Sequence, residues 1–215
     1  MKIGICGGTF DPFHRGHLDP VLGARDTMQW ERVMYIVAYR QPFKAERATT
    51  SGYDRFAMAV LATEPHDALF VSHMELDRGA ISYSVETLEE LRAMNPEATL
   101  DWIIGDDNLP ELKAWRNLDR IFELANFAVL TRGGQAILPD AAKGRAGLPD
   151  LQARVASPES RPRHGAICFV RNATVPISAT DIRKKVRERR SIDGLVDPRV
   201  SRYIHRHRLY EEANT

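Results

Sequence analysis

Two histidines three positions apart, His14 and His17, are the side chains of this sequence best suited by type and spacing to do chemistry. On a helical turn they share one face, so both could donate hydrogen bonds to a single phosphate. Two plainer readings stand beside that one. The pair could ligate a metal, although no further His or Cys completes a ligand set. Either residue could also be no more than a helix start. What favours phosphate chemistry is the string that the pair closes, Gly7-Gly8-Thr9-Phe10-Asp11-Pro12-Phe13-His14-Arg15-Gly16-His17.

The elements that must position this string flank it. Lys2 to Cys6 is a short apolar run that predicts a strand, and Gly16 to Met28 predicts a helix. Strand, glycine-rich turn and helix together make an anion site, because bare backbone amides and a helix N-terminus converge on one spot. Two glycines let a phosphate approach the main chain. Asp11 can end the loop or tie its backbone, and Pro12 stiffens the chain beyond it. The string is neither a dinucleotide G-x-G-x-x-G nor a Walker loop, whose Lys-Ser/Thr pair is missing.

The chain has 215 residues, enough for one α/β domain with a full core. Its formal net charge of +1 provides no global field for nucleic acid, so no nucleic-acid partner is expected. Cys6 and Cys168 both sit in apolar, strand-like runs and read as small buried hydrophobes of a reducing compartment. No apolar run has the length of a membrane span, and no signal peptide precedes the first strand. The expectation is a soluble, cytoplasmic domain covering 1–215, with a helical C-terminal region over about 178–215. Homo-oligomer formation is left open.

Further apolar runs at 33–38, 69–72, 99–104, 127–131 and 166–170 predict strands. Between them, 51–63, 85–94 and 118–124 predict helices, and a basic helix follows Pro176 as far as Arg190. This alternation predicts an α/β class with a parallel sheet. Several polar residues stand at the ends of these elements. Lys44 follows the second strand and could reach a phosphate, or be an ordinary surface lysine. Ser82, Tyr83 and Ser84 precede a helix that Ser84 could cap. Asp107 lies just past a strand end, where α/β sheets bind ligands, and could equally cap a helix. Trp115 could fill the core. Ser178, Thr180 and Arg183 at a helix start form a second anion site or an ordinary cap. From 134 to 164 only loop and one short helix, Leu148 to Val155, are expected.

His14-Arg15-Gly16-His17 resembles the H-x-G-H signature of the nucleotidyltransferases. The longer string from Gly7 resembles the bacterial nicotinate-nucleotide adenylyltransferases in particular. That likeness implies a doubly wound parallel sheet of Rossmann-like form. It also implies site residues in two groups. Gly8, Thr9, Phe10, His17, Gly105, Asp107, Ile177, Ser178, Thr180 and Arg183 would bind ATP. Gly8, Lys44, Ser82, Tyr83, Ser84, Trp115 and Arg116 would bind the mononucleotide. The segment around Lys44 departs from the family's Pro-Pro-His-Lys: Gln41 replaces the first proline and Phe43 the histidine.

The reaction implied is attack of the 5′-phosphate of nicotinate mononucleotide on the α-phosphorus of ATP, releasing pyrophosphate. His14, His17, Lys44 and Arg183 would serve catalysis: His17 would bind the α-phosphate region in the transition state with His14 in support, and Lys44, Ser178, Thr180 and Arg183 would hold phosphate oxygens. Mg²⁺ would arrive with ATP, without a dedicated protein cage. A relative acting on nicotinamide mononucleotide, pantetheine phosphate or glycerol phosphate is the alternative within enzymes. A non-catalytic nucleotide-binding protein is the alternative outside them.

Overall fold

The computed structural model describes residues 1–42, 49–131, 151–171 and 176–211. Lys44 and Phe43 lie outside the described residues, as do the first positions of the helix expected from Leu148; within the described part of that stretch, Gln152–Arg154 forms one 3₁₀ turn.

The chain alternates strands and helices as its apolar runs dictate. β1 (Lys2–Gly8) leads to α1 (Arg15–Met28), then β2 (Arg32–Val37), α2 (Gly52–Thr63) and β3 (Leu69–Ser72). A short α3 (Met74–Arg78) and α4 (Ser84–Met94) follow, before β4 (Thr99–Gly105). A 3₁₀ segment (Asp106–Ala114), α5 (Leu118–Leu124) and β5 (Asn126–Thr131) come next. β6 (Ile167–Arg171), α6 (Ala179–Arg187) and α7 (Pro198–Arg206) complete it. Among the described residues the strands form one parallel sheet in the order β3-β2-β1-β4-β5-β6. None of the described helices is long and apolar enough to cross a membrane.

Each inner strand divides its side chains between two apolar layers, as period-two geometry requires. On β4, Leu100, Trp102 and Ile104 pack with Val85, Leu88 and Leu91 of α4 and with Ile121 of α5. Ile103 points the other way, into the layer of Leu18 and Val21 of α1, Met58 of α2, and Ile182 and Val200 of the C-terminal helices. α1 and α5 therefore cover opposite faces of the sheet. β1 and β4, the strands that feed them, are neighbours. The crevice past the carboxyl ends of such a pair is where an open α/β sheet binds ligands.

Three local expectations need correction. α4 starts at Ser84 itself, with extended Tyr83 as the flanking residue, and no side chain caps its first amides. The cause lies one residue back. Ser82 donates its N–H to the Arg40 carbonyl at 2.8 Å, and its Oγ accepts from the Tyr39 N–H at 3.1 Å. That pins 81–83 in extended form against the end of β2. The basic helix stops at Arg187, short of Arg190, because Arg189 turns left-handed at φ 53°. α3 was unexpected from the sequence.

Candidate active site

The crevice at the β1/β4 switch opens into a cleft of about 1580 Å³. Its walls include His14 and His17, Gly8 to Phe10, Ser82 to Ser84, Gly105 and Asp107, Trp115 and Arg116, Ile177, Ser178, Thr180 and Arg183. His14 and every described residue expected to bind ATP or the mononucleotide thus line one cavity. Lys44 is the member of that set outside the described residues.

The sequence predicts a turn at Gly7 and Gly8, but both are the last residues of β1, paired with Ile36 and Val37 of β2, and the loop begins only at Thr9; aromatic rings shape this junction. A Cβ on Gly7 would stand 2.9 Å from the Trp102 indole, and one on Gly8 would stand 2.6 Å from the Phe10 ring. Phe10 takes a left-handed backbone, φ 53°, and folds its ring back over Gly8. There it meets Phe13, Tyr35 and His17 at centroid distances of 5.3, 5.8 and 5.0 Å. Phe10 and Phe13 are buried, so the loop rests on the core rather than on solvent.

The two histidines begin α1 and stack on each other, centroids 3.7 Å apart and planes at 24°. The His14 backbone N–H donates to Nδ1 of His17 at 3.3 Å, and the His17 carbonyl accepts from the Tyr35 hydroxyl at 3.1 Å. A neutral His17 with Nδ1 accepting must carry its proton on Nε2. His14 is only 6% exposed, and burial pushes its imidazole down to about 4, so it is neutral near pH 7. Its Nδ1 is buried with no hydrogen-bond partner among the described residues. Gly16 is what lets that ring lie where it does: a Cβ there would sit 3.0 Å from Cε1 and Nδ1 of His14.

The second candidate anion site abuts the first. Ser178 caps α6, accepting from the Asp181 N–H at 3.1 Å and donating to its carboxylate at 2.8 Å. Arg183, one turn on, donates to Thr180 Oγ1 at 3.1 Å and to the Asp11 carbonyl at 2.5 Å. The Ile177 carbonyl lies 3.4 Å from where a Cβ on Gly16 would be. Two helix N-termini, α1 and α6, therefore border one space lined with donors.

The other end of the cleft is aromatic. Trp115 is half-buried and anchored edge-on against Trp102 and Phe127, at 6.5 and 5.8 Å. Arg116 lies over the Tyr83 ring at 4.6 Å and pairs with Glu86 at 3.0 Å, which leaves it tied to α4. Asp107 is exposed at the start of the 3₁₀ segment and accepts from the Asn108 side chain at 3.2 Å.

Two residues of the site carried no usable signal in the sequence. Arg55, 2% exposed, donates to the carbonyls of Thr50, Thr9 and Ala38, so one guanidinium holds the loop after β1 against the end of β2. It stands in a polar helix start that reads as solvent-facing. Glu75, 3% exposed, lines the cleft and accepts from Thr87 at 2.5 Å. Burial pushes its carboxyl up, while hydrogen bonding by Thr87 and Ser82 opposes that shift. Cys6 also lines the cleft, but burial raises its thiol to about 12, which removes it as a nucleophile near neutrality.

Residues 5–185 match the family model described as cytidylyltransferase-like. A protein of Streptomyces coelicolor named "Probable nicotinate-nucleotide adenylyltransferase" is 34% identical over 204 residues, covering 95% of this chain and 98% of its own length. A protein of the same name from Desulfatibacillum aliphaticivorans is 37% identical, over 98% of this chain and all of its own. Among solved structures, the Plasmodium falciparum nicotinic acid mononucleotide adenylyltransferase complexed with NaAD superposes with a TM-score of 0.72 over all of this chain and 99% of its own. At 16% identity, that last likeness speaks for the fold alone.

Proposed function

The chain belongs to the cytidylyltransferase-like family, and on that premise we propose that it is a nicotinate-nucleotide adenylyltransferase acting in NAD biosynthesis. It transfers AMP from ATP to nicotinate mononucleotide. The single observation that carries the reading is the junction of two anion-binding helix starts, at His14–His17 and at Ser178–Arg183, through the Arg183 bond to the Asp11 carbonyl. A triphosphate and an attacking phosphate need such converging donors.

In this reading an oxygen of the mononucleotide 5′-phosphate forms a bond to the α-phosphorus of ATP while the bond from that phosphorus to the β-bridging oxygen breaks. Pyrophosphate leaves with the electron pair. Positioning and charge stabilisation do the work, and no covalent nucleophile is required. His17, with its proton on Nε2, donates to the α-phosphate as negative charge builds there. His14 supports it from below as a neutral ring. Thr180, Arg183 and the amides of α6 hold the β- and γ-phosphates, and Lys44, outside the described residues, is assigned to phosphate oxygens from the sequence alone. Gly8, Thr9 and Phe10 let the phosphates approach the main chain, and Gly105, Asp107 and Ile177 line the adenosine path.

On the other side, Trp115 offers its face to the pyridine ring. Tyr83 and Ser84 border the ring, with Arg116 as a candidate partner for its carboxylate. Ser82 acts differently from a direct contact, since its amide and Oγ are engaged with Arg40 and Tyr39. Enzymes of this type use a divalent metal with ATP, and we assign Mg²⁺ as the ion that enters on the triphosphate. Free Cys6 and Cys168 fit a reducing, cytoplasmic setting.

The decisive experiment measures pyrophosphate release from Mg·ATP with nicotinate mononucleotide, beside nicotinamide mononucleotide. Turnover with the acid form, well above that with the amide, is expected. Silence with both, but turnover with another phosphorylated acceptor, would overturn the substrate assignment.

A further inference from the structure

We propose that Tyr210, in the tail beyond α7, is a positioning residue for the ATP half of the cleft, acting through Asp11; the inference rests on the adenylyltransferase reading above.

Asp11 is 7% exposed and gathers three distant segments. Its Oδ1 accepts from the Tyr210 hydroxyl at 2.6 Å, and its Oδ2 accepts from the Thr50 N–H at 3.3 Å. Its carbonyl accepts from Arg183 at 2.5 Å. One residue of the loop between β1 and α1 is thereby fixed to the tail, to the start of α2 and to the guanidinium assigned to phosphate.

The tail is built to make this contact. α7 is anchored on α2 by the Tyr203 hydroxyl, which donates to Asp54 at 2.7 Å. Leu209 closes the helix by donating to the Ile204 carbonyl at 3.0 Å. Arg208 and Tyr210 then adopt left-handed backbones, φ 51° and 68°. Bulky residues rarely take that conformation, and it persists where surrounding contacts over-determine it. The ring of Tyr210 packs against the apolar layer that contains Phe10 and Phe13.

Removing the hydroxyl leaves a buried carboxylate short of one donor. Asp11 can then rotate, and the turn that aims Arg183 through its own carbonyl loosens. The effect falls on the triphosphate, because Trp115, Tyr83 and Ser84 lie on other elements.

The test uses the full chain with Tyr210→Phe, which keeps the ring. A KM for ATP raised about tenfold is expected, the usual weight of one hydrogen bond to a charged group. The KM for the mononucleotide should stay near wild type, and the thermal midpoint should fall by no more than the few degrees that loss of one buried hydrogen bond causes. Asp11→Asn should raise the same KM, and the double variant should be no worse than the worse single one. An ATP KM unchanged by Tyr210→Phe would overturn the proposal. So would strictly additive effects, or a parallel rise in both KM values with a lowered midpoint. A wild-type protein that releases no pyrophosphate would instead overturn the functional reading. Calorimetric titration of Mg·ATP into wild type and Tyr210→Phe then decides the inference alone: about tenfold weaker binding supports it, and equal binding sinks it.

Discussion

The His14 backbone N–H donates to Nδ1 of His17 at 3.3 Å, while the two imidazoles stack at 3.7 Å. The first contact assigns the proton of neutral His17 to Nε2, and the second holds the ring plane. A donor fixed in advance stabilises developing charge without reorganising during the reaction. His17→Ala should therefore lower kcat by about 10²–10³ with little change in either KM. Steady-state kinetics on a variant with wild-type circular dichroism checks this, and near-normal turnover would refute the role.

His14 links the site to pH. Burial lowers its pKa from 6.5 to about 4 in the folded chain. Between those values the unfolded chain binds more protons than the folded one, so stability rises with pH across that window. The contribution is fully present above about pH 6.5 and is lost as pH falls through 4, up to about 3 kcal/mol. Urea unfolding at several pH values from 4.5 to 7, on wild type and His14→Gln, measures it. The variant should show a shallower slope; an identical slope would place the pH dependence elsewhere.

Much of this architecture is legible in the sequence, for identifiable reasons. Strands buried on both faces read as unbroken apolar runs, so β5 and most of β2 fall within a residue of expectation; the edge strands β3 and β6 do so too, although β3 buries only Leu69 fully. The Ser178 cap is local, and local chemistry is readable. α3 is too short and too charged to show a period. Arg55, Glu75 and Tyr210 escape for another cause. Arg55 and Tyr210 act on partners far along the chain, Thr9 and Asp11, which only the assembled fold brings near, and Glu75 meets Thr87 across the connection from α3 to α4. Ser82 was legible as a site position, but its engagement with Tyr39 and Arg40 was not.

Gly16 makes a sharp test of how tightly the histidine pair is fitted. A methyl group at this position would lie 3.0 Å from two atoms of the His14 ring. The helix tolerates alanine better than glycine, so the change should not unfold the protein. The ring, however, must shift by a few tenths of an ångström and would carry His17 with it. Gly16→Ala should lower kcat/KM by roughly 10- to 100-fold at unchanged or higher thermal stability. Undiminished turnover would mean that the stack has slack.

Trp115 divides the two substrates. Its indole is braced by Trp102 and Phe127, and its other surface borders the cleft. Trp115→Ala should raise the mononucleotide KM by about tenfold or more, since base–aromatic stacking contributes roughly 1–3 kcal/mol. The KM for ATP should change little. Kinetics with each substrate varied in turn separate the two, and an unchanged mononucleotide KM would return Trp115 to a packing role.

Outside the cleft lining, Asp101 of β4 forms a buried ion pair with Arg161. Its carboxylate accepts from Arg161 at 2.7 Å, with the two side chains 0% and 1% exposed. Trp30 Nε1 and the Asn126 amide donate to the same carboxylate at 2.7 and 3.0 Å. Arg161 in turn donates to the Met28 carbonyl at 2.6 Å, so the pair ties the end of α1 to β4 and to the segment before β6. A buried ion pair adds little over an apolar substitute, but breaking one leaves a charge stranded in low dielectric. Arg161→Met should therefore destabilise the fold by about 3–5 kcal/mol. Arg161→Met combined with Asp101→Leu should recover part of that loss, limited by the unpaired Trp30 and Asn126 donors. Chemical denaturation of both variants measures the difference, and kcat per folded molecule should remain at the wild-type value. A single variant as stable as wild type would refute a stabilising role for the pair.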